Sequence, residues 1–153
     1  GRRREALQVL SRIQTVGLKP NQVSFLGAIS ACSKVADSGR ALRLLREMVD
    51  AGIAPDLKCY SSAISACGKQ GRWRQAVALL DDMRAAGTEP NVVCYNAAIS
   101  ACGKGKQWQP AVSLLETMRG RGIAPDVISY NAAIDACGKS GRLVRGDNGK
   151  SGV

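Results

Sequence analysis

Apolar residues recur along the chain with the spacing of amphipathic helices. In one stretch they follow i, i+3, i+4 and i+7, the stripe of a single helix face, and predict a helix over about 92–104. Its members are Tyr95, Ala98, Ile99 and Cys102. A second stripe predicts a helix over about 107–120. Its members are Ala111, Leu114, Leu115 and Met118. Gly103 and Gly105 lie between the stripes and are expected to break the helix, which gives a helical hairpin.

The hairpin pattern returns every 35 residues without a break in register. The period is visible in the series Cys32, Cys67, Cys102 and Cys137. Each unit closes as at Gly122, Pro125 and Asp126, where we expect a left-handed Gly and a side chain that caps the next helix. One hairpin buries too little apolar surface to fold alone, so neighbours must stack. The sequence therefore predicts an all-α fold, an α-solenoid with a long concave face.

The register also divides the chain, and we expect it to be part of a longer array. The segments are a partial repeat with a second helix only (1–21), three full repeats (22–56, 57–91 and 92–126), a partial repeat with a first helix (127–141) and a flexible tail (142–153).

Composition narrows the function. The chain has 22 Lys and Arg against 12 Asp and Glu, a net charge of +10, which favours an acidic partner such as nucleic acid or an anionic membrane surface. It has no His, which excludes His-dependent hydrolases and His metal centres. No apolar run approaches the roughly 18 residues that span a bilayer, so no membrane protein is expected. The cysteines lack C-x-x-C pairs, so we expect buried thiols, no metal and no cofactor.

Two periodic polar series have more than one interpretation. The Lys series can follow a phosphate backbone or complement the negative ends of the first helices. It consists of Lys34, Lys69, Lys104 and Lys139. The closing residues can be helix caps alone or caps that also contact a ligand. They are Asn21, Asp56, Asn91 and Asp126. An aromatic series is expected in the core, together with the isoleucines four residues later. It consists of Phe25, Tyr60, Tyr95 and Tyr130.

The unit from Val92 to Asp126 resembles a pentatricopeptide repeat. The likeness lies in the Tyr-Asn start of the first helix, the Ala-x-x-Leu-Leu-x-x-Met second helix and the Gly-x-x-Pro-Asp/Asn closure, and it extends over residues 1 to about 142 in a 35-residue register. The resemblance implies a right-handed α-solenoid that binds single-stranded RNA as a monomer, one base per repeat, and catalyses no reaction. It also implies a role in RNA processing, stability or translation in the mitochondrion or chloroplast, where RNA-processing proteins are recruited.

In such repeats the fifth and last residues face the base edge. The positions that correspond here are Leu26, Asp56, Ser61, Asn91, Asn96, Asp126 and Asn131. The resemblance implies uracil for Asn96 with Asp126 and adenine for Ser61 with Asn91. Leu26 cannot hydrogen-bond, which leaves its base open, and Asn131 implies a pyrimidine. The implied target is 5′-N-A-U-Y-3′.

The second residue of each such repeat packs against the base plane. These residues are Val23, Lys58, Val93 and Ile128. Lys58 departs from the aliphatic type and is expected to reach a phosphate instead. An alternative function is a helical-repeat scaffold that binds an acidic protein segment, with the closing residues acting only as caps.

Overall fold

The protein is described by a computed structural model that covers residues 5–9, 12 and 21–139, and all regular structure in these residues is helical. Residues 5–9 and 12 belong to a first helix, α1. The helices that follow are α2 (Gln22–Lys34), α3 (Ser38–Asp50), α4 (Leu57–Gln70), α5 (Trp73–Ala85), α6 (Val92–Lys104), α7 (Trp108–Gly120) and α8 (Val127–Lys139). The predicted tail 142–153 and most of partial repeat 1–21 lie outside the described residues.

The helices form two layers. The first helices of the repeats, α2, α4, α6 and α8, pack side by side, and the second helices α3, α5 and α7 form the other layer. Each second helix contacts the first helix of its own repeat and the first helix of the next repeat. This arrangement confirms the predicted α-solenoid, in which every repeat buries its apolar stripe against its neighbours.

The turns that close the repeats agree with the sequence. Gly52, Gly87 and Gly122 have φ values of 80°, 86° and 80°, as expected for a left-handed residue after a helix. At the first of these turns the N–H of Ile53 donates to the carbonyl oxygen of Met48 at 3.0 Å, which satisfies a carbonyl at the end of α3. The prediction of a left-handed Gly at this position is therefore confirmed.

The turn inside each hairpin corrects one prediction. The left-handed residue there is Ala36, Gly71 or Lys106, at the same place in each repeat, and only one of the three is Gly. A backbone hydrogen bond across the turn holds this conformation, and at Lys106 it runs from Gln107 N to the carbonyl oxygen of Cys102 at 2.8 Å. Gly105 keeps an ordinary φ of −84°. The glycines near this turn therefore did not predict which residue adopts the left-handed conformation.

Gly103 does not break the helix, because it lies buried inside α6. Its role follows from Gly68, the equivalent residue of α4. A Cβ placed on Gly68 would lie 2.7 Å from the carbonyl oxygen of Ala97, and one on Gly103 would lie 3.6 Å from that of Ala132. Gly68 therefore lets α4 and α6 approach more closely than a side chain would allow, whereas the contact at Gly103 is an ordinary van der Waals distance.

The core follows the aromatic series with one exception. Phe25, Tyr60 and Tyr95 are buried, as predicted. Tyr130 and Ile134 of α8 are instead 44% and 55% exposed. In the earlier repeats a second helix covers the equivalent residues, whereas no helix follows α8 within the described residues.

The cysteines act as apolar packing residues. Cys59, Cys67, Cys94 and Cys102 are buried and form no disulfide. Burial raises the pKa of Cys59, Cys67 and Cys102 to about 11. These thiols therefore remain protonated at neutral pH, as expected for side chains that pack rather than react.

Two kinds of contact fill the joints between repeats on the hairpin-turn side. Trp73 is half-buried, and its ring lies so close to Gly105 of the next repeat that an added Cβ would come within 2.8 Å of Trp73 Cδ1. One repeat earlier Ser38 occupies the equivalent position, and its N–H donates to Gln70 Oε1 at 3.0 Å. A large ring thus faces a Gly at one joint, and a small polar residue faces a Gln at the other.

Gly68→Ala is expected to lower the free energy of unfolding by about 1–3 kcal/mol, because the added methyl must displace backbone rather than a flexible side chain. Gly27→Ala is the matched control. Gly27 lies within α2 with nothing within 4 Å of an added Cβ, so the higher helix propensity of Ala should raise stability by about 0.5–1 kcal/mol. Urea denaturation followed by circular dichroism measures both. Equal effects of the two substitutions would contradict the close approach.

Candidate nucleic-acid interface

The residue that closes each repeat caps the first helix of the next one. In each case a side-chain oxygen accepts a hydrogen bond from the backbone N–H three residues later. The bonds are Ser24 N to Asn21 Oδ1 (3.0 Å), Cys59 N to Asp56 Oδ1 (3.0 Å), Cys94 N to Asn91 Oδ1 (3.1 Å) and Ser129 N to Asp126 Oδ1 (2.9 Å). A cap of this kind contributes about 0.5–2 kcal/mol. The capping role is therefore present at all four positions.

The capping carboxylates are held in the ionised form. Partial burial alone would raise the pKa of Asp56, but the hydrogen bond from Cys59 N–H and its other contacts outweigh it, and the pKa lies below the usual 3.8. The pKa of Asp126 is also lowered, chiefly by the backbone N–H of Ser129 and further by the Asn96 amide. Both side chains are therefore hydrogen-bond acceptors at neutral pH.

Asn96 and Asp126 lie side by side, although 30 residues separate them in sequence. Asn96 Nδ2 donates to Asp126 Oδ1 at 3.1 Å. Asn96 is on the first helix of repeat 92–126, one turn beyond its start, and Asp126 caps the neighbouring first helix α8. The structure thus brings together the two side chains that the family resemblance assigns to one base.

The other assigned positions are arranged differently. Ser61 Oγ donates to the carbonyl oxygen of Lys58 in its own helix at 3.2 Å, and no described hydrogen bond joins it to Asn91. Leu26 is partly buried and packs against the core, so it contributes to stability. Asn131 lies exposed on α8.

The second residues of the repeats are exposed, which is uncommon for large aliphatic side chains. Val23 is 74% exposed, Val93 56% and Ile128 63%, and Lys58 is exposed as well. All four lie in the first turn of a first helix, close in sequence to the closing residue that caps it. They therefore add accessible apolar surface near the closing residues, with one ammonium group at Lys58.

The Lys series reaches from one repeat to the one before it. Lys69 Nζ donates to the carbonyl oxygen of Ser33 at 2.9 Å, and Lys104 Nζ donates to that of Lys69 at 3.0 Å. Lys139 forms an ion pair with Asp135 at 2.9 Å, and Lys34 is exposed. Lys69 and Lys104 thus satisfy carbonyls at the end of the preceding first helix. This contact between repeats was not anticipated, since the two interpretations from the sequence were a phosphate backbone and the negative end of the helix that carries each Lys.

The described residues hold no candidate for a membrane span or a metal site. No helix there is both long and apolar enough to cross a membrane. No group of three or more His, Cys, Asp or Glu side chains in that part of the chain is arranged to hold a metal ion.

Models of one repeat family match the chain in three places that together extend over most of its described part. The PPR repeat family matches residues 90–139, the pentatricopeptide repeat domain matches 43–105 and the PPR repeat matches 23–53. The chain belongs to the pentatricopeptide repeat family. No curated protein sequence matches it.

Solved structures of pentatricopeptide repeat proteins share the fold. The protein PPR10, in complex with an 18-nt psaJ RNA element, is 36% identical, with a TM-score of 0.72 over 81% of this chain and 18% of that one. PPR10 from maize in a second structure gives 22% identity and a TM-score of 0.80, over 94% of this chain and 20% of that one. The PPR domain of Arabidopsis thaliana protein-only RNase P 1, in complex with tRNA, gives 14% and 0.80 over 95% and 77%. This pentatricopeptide repeat chain thus spans less than a fifth of the PPR10 chain in the first of these structures.

Sequence reasoning missed Ser129 at this interface. Its side chain is fully buried, and its hydroxyl contacts both Asn96 and Asp126. A weak signal was present, because Ser129 lies three residues after a capping Asp, and the equivalent residue in two other repeats is Cys. Only the neighbouring helix, which the local pattern does not specify, shows that this hydroxyl reaches Asn96.

Asp56→Asn is expected to reduce the acid sensitivity of this pentatricopeptide repeat chain. Because the pKa of folded Asp56 lies below 3.8, its cap adds stability that is present above this value and is lost as the pH falls through the folded pKa. Asn caps without titrating, as Asn21 and Asn91 do. The loss of stability between about pH 7 and about pH 2.5 should therefore shrink, by less than about 1 kcal/mol at this solvent-accessible site.

Asn91→Asp is the reverse variant for this test. It places a titrating cap at the equivalent position of the next repeat, so the loss of stability on acidification should grow. Urea denaturation at both pH values measures the two variants. If both change the acid sensitivity in the same direction, the capping carboxylates are not its source.

Proposed function

We propose that this chain binds single-stranded RNA along the exposed starts of its first helices and reads one base per repeat. The observation that carries the proposal is the contact between Asn96 Nδ2 and Asp126 Oδ1 at 3.1 Å. It places an amide and a carboxylate next to each other in an accessible position, where a Watson–Crick edge can meet donors and acceptors together.

Aliphatic side chains beside this pair support the proposal. Val93 lies one helical turn before Asn96, and Ile128 lies two residues after Asp126; both are more than half exposed. Exposed aliphatic groups close to a polar pair suit a base, which has apolar faces and a polar edge. In repeat 57–91 the equivalent of Val93 is Lys58, which we propose contacts a phosphate.

Relatives of this chain support RNA as the ligand. PPR10 has been solved with an 18-nt psaJ RNA element, and the PPR domain of protein-only RNase P 1 has been solved with tRNA. For this chain we take the target to be 5′-N-A-U-Y-3′, with uracil opposite repeat 92–126 and adenine opposite repeat 57–91. The segment contributes binding rather than catalysis, in RNA processing, stability or translation in a mitochondrion or chloroplast, with processing proteins recruited to the bound RNA.

An acidic protein segment is the second candidate ligand. The net charge of +10 favours it as much as it favours RNA. The neighbouring amide and carboxylate of Asn96 and Asp126 favour RNA. A neutral base edge can hydrogen-bond to both groups, whereas the carboxylates of an acidic peptide are repelled by Asp126.

Exchange of Asn96 tests base reading directly. The family pairs Ser with Asp for guanine, so Asn96→Ser is expected to change the preference at this repeat from U to G. Fluorescence anisotropy with four short labelled RNAs that differ only at the base opposite repeat 92–126 measures this preference. Each base contact contributes only about 1–3 kcal/mol, so three full repeats should bind weakly, and the preferred RNA should exceed the others by roughly tenfold.

Ser113→Asn is the control, because it alters a polar residue on the second-helix layer and should leave all four affinities unchanged. Equal binding of all four RNAs by both wild type and Asn96→Ser, with loss of binding at higher salt, would contradict base reading. That result would leave a surface for polyanions or for an acidic protein.

Lys104→Gln tests whether the Lys series contacts phosphates. A lost phosphate contact lowers the slope of log affinity against log salt by about 0.7 for a single strand and weakens all RNA sequences alike. Gln removes the charge but keeps a donor for the carbonyl oxygen of Lys69. Arg119→Gln, an exposed site on α7, removes the same charge from the other layer and should leave the slope nearly unchanged. Equal slopes for wild type and Lys104→Gln would show that this Lys only joins neighbouring repeats.

A further inference from the structure

Ser129 connects the two side chains assigned to one base. It is the third residue of the partial repeat 127–141 and is fully buried. Its Oγ accepts a hydrogen bond from Asp126 N at 3.1 Å and lies 3.0 Å from Asp126 Oδ1. The same Oγ also makes a close hydrogen bond with Asn96 Oδ1.

The hydroxyl has one hydrogen, so it donates to one acceptor at a time. Asp126 Oδ1 already accepts from Ser129 N at 2.9 Å and from Asn96 Nδ2 at 3.1 Å. The hydroxyl of Ser129 therefore donates its hydrogen to Asn96 Oδ1, which has no other donor among the described residues. In this arrangement both ends of the Asn96 amide have a protein partner.

The orientation of the amide decides what a base meets. If the amide turned over, Asn96 Oδ1 would face the Asp126 carboxylate, and acceptor would meet acceptor. In the observed orientation the second hydrogen of Nδ2 has no protein partner in the described residues, so it remains for a ligand. A donor at this point matches O4 of uracil, whereas cytosine carries an amino group there and would present donor to donor.

We propose that Ser129 is a positioning residue that holds the Asn96 amide in the uracil-reading orientation, so that the third residue of one repeat tunes the base preference of the repeat before it. The proposal rests on the proposed function, because it assumes that Asn96 meets a base. It adds a specificity-determining residue outside the fifth and last positions.

The other repeats of this chain provide a comparison. At the equivalent joint between repeats 57–91 and 92–126, Cys94 replaces Ser129, and Ser61 bonds within its own helix instead of across the joint. Ser24 has the hydroxyl, and it donates to the capping Asn21 at 3.1 Å. Within the described residues, the hydrogen bond of that hydroxyl is to the cap.

Ser129→Cys tests the proposal, because it removes the hydroxyl in a variant that should still fold. Cys59 and Cys94 fill the same position beneath caps of 3.0 and 3.1 Å, so Cys suits this helix start. A thiol is a weak donor, so the amide loses its second partner. The two labelled RNAs contain A-U-Y or A-C-Y, with A opposite repeat 57–91 and U or C opposite repeat 92–126. The U-to-C affinity ratio is expected to fall roughly three- to tenfold. Affinity for the A-C-Y RNA should stay the same or rise.

Ser24→Cys is the matched control. It removes a hydroxyl from the same position of a repeat start, where no Asn96 equivalent lies within the chain, so the U-to-C ratio should not change. Thermal unfolding of both variants separates loss of a cap from loss of discrimination. A ratio that falls equally in the two variants would make Ser129 a structural residue only and would overturn the proposal.

A second readout needs no RNA. In the free protein, hydrogen exchange of the Asn96 side-chain amide, followed by NMR, should be faster in Ser129→Cys than in wild type and unchanged in Ser24→Cys. Unchanged exchange together with an unchanged U-to-C ratio would overturn the positioning role and leave base reading intact. A wild-type protein that does not distinguish U from C would contradict the proposed function itself, whatever the exchange rates show.

Discussion

The close approach of consecutive first helices is the constraint on which the rest of this structure depends. Gly68 lets the backbones of α4 and α6 come together without a side chain between them, and Gly103 occupies the equivalent place between α6 and α8. Because these helices are close, the start of each one is near the fifth residue of the one before it. A longer separation would leave Asp126 beyond the reach of Asn96, and Lys104 beyond the carbonyl of Lys69. Packing by small residues thus creates both the solenoid and its polar edge, by which we mean the closing and fifth residues of the repeats.

The closing residues of this edge must cap a helix, whereas the fifth residues need not, so the choice of amino acid is more restricted at the closing positions. The four closing residues are all Asn or Asp, since each must accept the N–H at a helix start. The fifth residues carry no such duty, and Leu26, Ser61 and Asn96 differ widely in chemistry. Under the proposed function, differences in base preference arise mainly from the fifth residue. The closing residue offers a narrower choice between a neutral amide and a carboxylate.

Much of this fold could be predicted from the sequence, because a 35-residue period with two helical stripes leaves few alternatives. The bounds of α6 and α7, the left-handed glycines at the repeat ends and the four caps are local features, and local patterns specified them. The hairpin turns were less predictable, since the left-handed residues Ala36 and Lys106 are held by backbone hydrogen bonds that carry no sequence signal. The exposure of Tyr130 depends on the helix that would cover it and not on its own stripe.

Contacts across the joints were the least predictable part of the site. A period identifies equivalent residues but not which atoms of neighbouring repeats meet, so the sequence placed Lys69 and Lys104 correctly on the helix ends but missed their carbonyl partners in the preceding repeat. Ser129 was missed for the same reason. These joint contacts vary between repeats, with Trp73 against Gly105 at one joint and Ser38 against Gln70 at another. Repeats in this chain are therefore not interchangeable units, because each one is fitted to the neighbour that follows it.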